Sequence, residues 1–110
     1  MQGCKVNILG TEYTIQEKKI SDDDLLEQKD GYCDSTTKSI VVCSLKAETG
    51  SSVDVSVEEK RIRRHEIIHG FMYESGLDAN SRWGTDEELV DWIALQSPKI
   101  FKVFQELDIL

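Results

Sequence analysis

The stretch Arg61–Leu77, RIRRHEIIHGFMYESGL, decides how the chain is read. It holds both histidines, His65 and His69, four residues apart, with Glu66 directly after the first. Ile62, Ile67, Ile68, Phe71 and Met72 surround them at helical spacing. On a helix, side chains four apart stand one above the other on the same face, so both imidazoles can reach one ion. Glu66 is turned partly toward that face and can reach a water at the ion without ligating it. That is why H-E-x-x-H carries a mechanism as well as a pattern. The competing reading is a pair of structural histidines on an ordinary helix. Buried imidazoles need polar partners, however, and a metal supplies them. Zinc takes nitrogen ligands in tetrahedral geometry and, in catalytic sites, keeps one position for water.

The boundaries of this helix are written on either side. Ser56-Val57-Glu58-Glu59 has the form of a capping box, with Ser56 as N-cap and Glu59 reaching back. At the other end Gly76 suits the left-handed position after the last turn, and Leu77 can fold back onto Met72. DANSRWG reads as a loop. Thr85-Asp86-Glu87-Glu88 has the form of a second capping box, opening a helix through Leu89, Val90, Ile93 and Ala94. Ser97-Pro98 then reads as a cap and a first-turn proline, starting a last helix whose buried face is Ile100, Val103, Phe104 and Leu107.

A zinc needs a third protein ligand, and with no histidine left it must be a carboxylate or a cysteine. The candidates are Glu87, Glu88 and Asp91. The capping box assigns Glu88 to the helix start. Glu87 and Asp91 are four apart and share a face, so Glu87 can ligate while Asp91 accepts a hydrogen bond from a ligating histidine. The alternative for Glu87 is a solvated first-turn acid stabilised by the helix dipole.

Upstream, KVNILGTEYTIQEKK alternates Val6, Ile8, Tyr13 and Ile15 with polar residues and reads as two strands joined at Gly10-Thr11. SDDDLLEQ suits a short helical turn capped by Ser21 or Asp22. DGYCDSTTKSIVVCS reads as a second hairpin turning in Asp34–Lys38, and LKAETGSSVDV as a polar loop. Strands first and helices after predict an α+β fold: a small N-terminal antiparallel sheet of hairpins, the HExxH helix, then two C-terminal helices. With 110 residues a single domain, 1–110, is expected.

The net charge of −8 argues against nucleic acid or an anionic membrane as partner, since both call for clustered positive charge. The basic run Lys60, Arg61, Arg63, Arg64 reads as a solvated helix face. No apolar run is long enough to span a bilayer, and the N-terminus lacks a signal-peptide core, so a cytoplasmic location is expected. Cys4, Cys33 and Cys43 form no C-x-x-C pair and read as reduced thiols. Cys33 and Cys43 can approach each other across the second hairpin.

HEIIH followed by Glu87-x-x-x-Asp91 resembles the gluzincin metallopeptidases, whose third ligand is a glutamate on a later helix. Over about Gly31–Ile100, HEIIHGFMYESGL and DEELVDWIALQSPKI look closer to the small phage- and prophage-encoded zincins related to the ImmA/IrrE group. The stretch after Glu87 departs from that group's pattern at Val90, Asp91 and Ile93. The resemblance implies a zincin-like fold in which His65, His69 and Glu87 hold Zn2+ and a zinc-activated water attacks a peptide bond. Glu66 would be general base, Asp91 would support a histidine from behind, and the substrate would be a protein or peptide. Tyr73 and Tyr32 are the candidate donors to the oxyanion, with aromatic packing as their other role. Zincins pair an edge strand with the extended substrate, and the strand around Ser39–Cys43 is the candidate here. The alternative from another class is a non-catalytic zinc-binding regulatory or interaction domain.

Overall fold

The computed structural model describes residues 3–45 and 54–110 of the chain. Two hairpins form one four-stranded sheet. Strands β1 (Cys4–Ile8) and β2 (Thr11–Lys18) are antiparallel, as are β3 (Gly31–Asp34) and β4 (Ser39–Cys43). The sheet order is β1-β2-β4-β3, and the hairpins join through a parallel β2–β4 pairing with Ile15 opposite Ile40. The sheet is therefore mixed rather than antiparallel throughout, which corrects the expectation. β4 lies in its interior, so it cannot be the edge strand either. Its run Ile40-Val41-Val42-Cys43 is buried throughout. Ile40 and Val42 face the main core with Ile8, Tyr13, Ile15 and Ile62, while Val41 and Cys43 face a second cluster around Leu26. A strand covered on both faces carries a continuous apolar run, and that run belongs to a central strand. The edge beside the long helix is β3.

The β1–β2 turn sits at Leu9 and Gly10, one residue earlier than expected, with both residues at positive φ. That is the geometry of a two-residue hairpin whose twist matches the strands. The SDDDLLEQ stretch forms two 3-10 turns, Ile20–Asp22 and Asp24–Glu27; the cap is Asp23, whose carboxylate accepts from Leu25 N–H at 3.1 Å, not Ser21 or Asp22. All three cysteines are free. Cys33 stands opposite Ile40, out of register with Cys43. Most of the predicted polar loop after Leu45 lies outside the described residues.

Helix α1 (Ser56–Glu74) crosses the sheet. Ser56 is its first residue rather than its cap; the Asp54 carboxylate accepts the Ser56 N–H at 3.0 Å, and the expected capping box does not form. Ile62, Glu66 and Gly70, at i, i+4 and i+8, make the row facing the sheet. At Gly70 a Cβ would lie 2.7 Å from Ile8 Cδ1, so a side chain there would push the helix off the sheet. Gly76, at φ 86, ends the helix in the left-handed conformation as read from sequence. The DANSRWG segment is not a plain loop, because Leu77–Asn80 forms a short helix, α2, and Arg82–Thr85 a 3-10 turn.

Helix α3 (Glu87–Glu106) is a second correction: it runs straight through Pro98, so one C-terminal helix replaces the two predicted. Proline lacks the N–H that would reach the carbonyl four residues back, here Ala94. Arg64 on α1 fills the gap, its Nε–H donating to the Ala94 carbonyl at 2.6 Å. Val90 and Ala94, both fully buried, form the seam with α1. The face predicted to be buried in the last part of the chain is open, as Val103, Phe104 and Leu107 are exposed. Among the described residues no helix is long and apolar enough to cross a membrane.

Candidate metal centre

The seam between α1 and α3 brings His65 and His69 against the first turn of α3. Asp86 caps that turn, its carboxylate accepting from the N–H groups of Glu88 at 2.9 Å and Leu89 at 3.4 Å. Thr85 was expected in this role, but its hydroxyl donates to the Arg82 carbonyl. An acidic cap also meets the positive end of the helix, which favours aspartate over threonine. Glu88 is thus not tied to Thr85; both glutamates are exposed, and Glu87 is the one whose carboxylate reaches the histidines.

Glu87 Oε1 lies 2.9 Å from His65 Nε2 and 3.0 Å from His69 Nε2, and the two Nε2 atoms are 3.2 Å apart. Ligand atoms at the corners of a zinc-sized tetrahedron stand about 3.3 Å apart, given metal–nitrogen bonds near 2.05 Å. Behind His65, Asp91 Oδ1 is 3.1 Å from Nδ1. A carboxylate only accepts, so the Nδ1 proton belongs to His65 and points at Asp91. In neutral imidazole Nε2 then carries a lone pair, aimed at another acceptor, the Glu87 oxygen. Such a set closes only around positive charge, a proton or a metal ion. His65, His69 and Glu87 could therefore hold a metal ion. Burial raises the Glu87 carboxyl, but the hydrogen bonds and charge of His69 and His65 outweigh it and hold the group below its ordinary value.

Arg61 was not anticipated. One turn before His65, it pairs with both Glu58 and the Asp91 oxygen that serves His65. It holds that carboxylate in place, which orients the imidazole. The i, i+4 spacing from Arg61 to His65 was the available signal. The basic run on this helix is more than a solvated face, because Arg61, Arg63 and Arg64 each engage a specific partner.

Glu66 is 7% exposed and borders a cleft of about 550 Å³ that also takes in His65, His69 and Glu87. Burial pushes its carboxyl above the ordinary value. Its methylenes pack over β3, where a Cβ on Gly31 would come within 3.3 Å of Glu66 Cγ and 2.8 Å of the Val41 carbonyl. The glycine lets the edge strand approach the glutamate, a placement that Gly31 within a strand could have signalled. Tyr32 and Tyr73 both border the cleft. The Tyr32 hydroxyl is committed to Asp23, and its pKa is pushed up to about 12 by burial and that bond. The Tyr73 ring carries the Lys38 ammonium 4.8 Å from its centre. Cys33 lines the same wall, but burial pushes its thiol up to about 12, and it stands outside the ligand group. Neither the family models nor the curated proteins nor the solved structures contain a match to this chain.

Proposed function

We propose that this protein is a zinc-dependent metallopeptidase of the zincin type, close in plan to the small phage-type ImmA/IrrE-related enzymes. The observation that carries the reading is the convergence of His65 Nε2, His69 Nε2 and Glu87 Oε1 within 3.2 Å beside the buried Glu66. Zinc, when bound by these three residues, supplies a Lewis acid that lowers the pKa of water toward about 7 and polarises a carbonyl. Glu66 takes a proton from the attacking water and returns it to the leaving amine, and its raised pKa suits both tasks. Asp91, steadied by Arg61, holds His65 with its Nε2 lone pair toward Glu87. The edge of β3 offers backbone groups to an extended peptide or protein substrate, and Tyr73 is the remaining side-chain donor for the oxyanion.

The test is elemental analysis of protein purified without chelators, coupled to a search for cleaved host or phage proteins. About one zinc per chain is expected, lost in His65→Ala and His69→Ala. Cleavage should vanish in Glu66→Gln while zinc stays. Full zinc retention in a histidine variant would remove the site assignment. A second reading, a zinc-holding interaction domain without catalysis, is favoured by the exposed apolar second half of α3. Zinc binding with no cleaved product for the wild type would select it.

A further inference from the structure

The apolar stripe Ile100, Val103 and Phe104 runs along the second half of α3, with Leu107 at its C-cap. Its residues are three and four apart and so share one face. That face is turned about a third of a turn from the Val90–Ala94 row that packs on α1. No rearrangement within the seam covers it. Every residue from 101 to 110 is exposed, Leu107 to 64%.

The charges beside the stripe say what fits on it. Lys99, Lys102 and Glu106 lie on a single flank of the stripe, exposed and without an ion pair among the described residues. A two-fold axis relating antiparallel helices brings each flank against its own copy. With the axis between Val103 and Phe104, Ile100 meets Leu107 of the other chain and Val103 meets Phe104. In the same register Glu106 of each chain falls between Lys99 and Lys102 of the other. Apolar and charged residues are thus complementary to their own inverted copy.

We propose that the second half of α3 is a homodimer interface, its occupant a second copy of this chain in antiparallel register. The overlap is short, about 12 Å of helix, so the association is weak rather than obligate. It requires neither metal nor catalysis, and it stands or falls apart from the proposed function.

Sedimentation velocity of the full chain over a concentration series tests this, with circular dichroism confirming that each variant folds. Wild type should pass from monomer to dimer below about 100 µM. Glu106→Lys should weaken association at least about tenfold, as should Lys99→Glu with Lys102→Glu, because each sets like charges against each other. An equimolar mixture of those two variants should restore dimer as a heterodimer. Phe104→Glu should abolish association. A monomeric wild type at about 1 mM would overturn the proposal, since the stripe would then serve another partner. A dimer indifferent to Phe104→Glu, or like-charged variants that fail to pair when mixed, would overturn the face or the register.

Discussion

Glu66 and Glu74 sit two turns apart on the same helix, and their surroundings give them opposite characters. Glu74 is met by three donors: the Thr11 hydroxyl at 2.9 Å, the Tyr13 hydroxyl at 2.6 Å and the Lys38 ammonium at 3.0 Å. The Tyr13 bond leads in holding its carboxyl below the ordinary value, and the three together tie the end of α1 to the sheet. Glu66 lies close over Gly31 instead, and burial leads in raising it. One carboxylate is anchored by its hydrogen bonds, while burial raises the other above its ordinary value. The difference teaches that the environment supplied by the sheet, rather than residue type or helix position, separates a fastener from a candidate base.

The contrast breaks first if the two glutamates prove interchangeable. Glu66→Gln should lower cleavage of any substrate found by about 10²–10⁴-fold with metal content unchanged, whereas Glu74→Gln should leave turnover within about twofold. Equal losses in the two variants would erase the distinction. The next effect concerns the candidate ligand group beside Glu66, read by metal titration. Glu87→Ala should weaken metal binding by at least about a hundredfold, and Asp91→Ala by roughly 10–100-fold. Glu88→Ala should leave the affinity alone, because Asp86 and not Glu88 caps the helix.

The α1–α3 seam can be probed by denaturation. Arg64→Ala leaves the carbonyl of buried Ala94 without its donor and should cost about 1–3 kcal/mol. In a Pro98→Ala background the restored amide can serve that carbonyl, so the cost of Arg64→Ala should shrink. An unchanged cost would show that Arg64 acts through another contact. The smallest effect is on acid stability. Because the folded Glu74 carboxyl is depressed, its contribution is present above the ordinary carboxylate value near 4.5 and fades as pH falls through the lower folded value. Glu74→Gln should therefore flatten the acid limb of the stability curve in that window, measured by thermal melts against pH. A limb as steep as that of wild type would mean that another group drives it.

The His65–His69 pair and the Glu87–Asp91 pair were legible because each depends on spacing within a single helix, and helical spacing fixes direction; the meeting of the two pairs could only be supposed. The choice of Glu87 over Glu88 was reached through a capping argument that the structure replaces. The i, i+4 relation to Asp91 carried it, while the cap itself moved from Thr85 to Asp86. Less visible was everything that depends on pairing between elements. Nothing local tells β4 that β2 will lie parallel beside it, although its unbroken apolar run hinted at a central position. Pro98 read as a helix start because its missing N–H usually ends a helix, and only the Arg64 side chain from α1 makes the continuation tolerable. The stripe on α3 was recognised as apolar, but periodicity shows only that a face is apolar and cannot say whether this chain covers it.

That unbroken α3 has the geometry of a lever. The Arg64–Ala94 contact is its fulcrum, Glu87 rides about 10 Å to one side, and Phe104 about 15 Å to the other. A tilt of about 5° at the fulcrum carries the Glu87 backbone nearly 1 Å, enough to part its carboxylate from the two imidazoles. Had Pro98 broken the rod, as its chemistry ordinarily dictates, a push at the far end would be lost in the bend. Because the rod is whole, a displacement at the tail would be carried to Glu87, and whatever fastens the tail would steady that carboxylate against the two imidazoles.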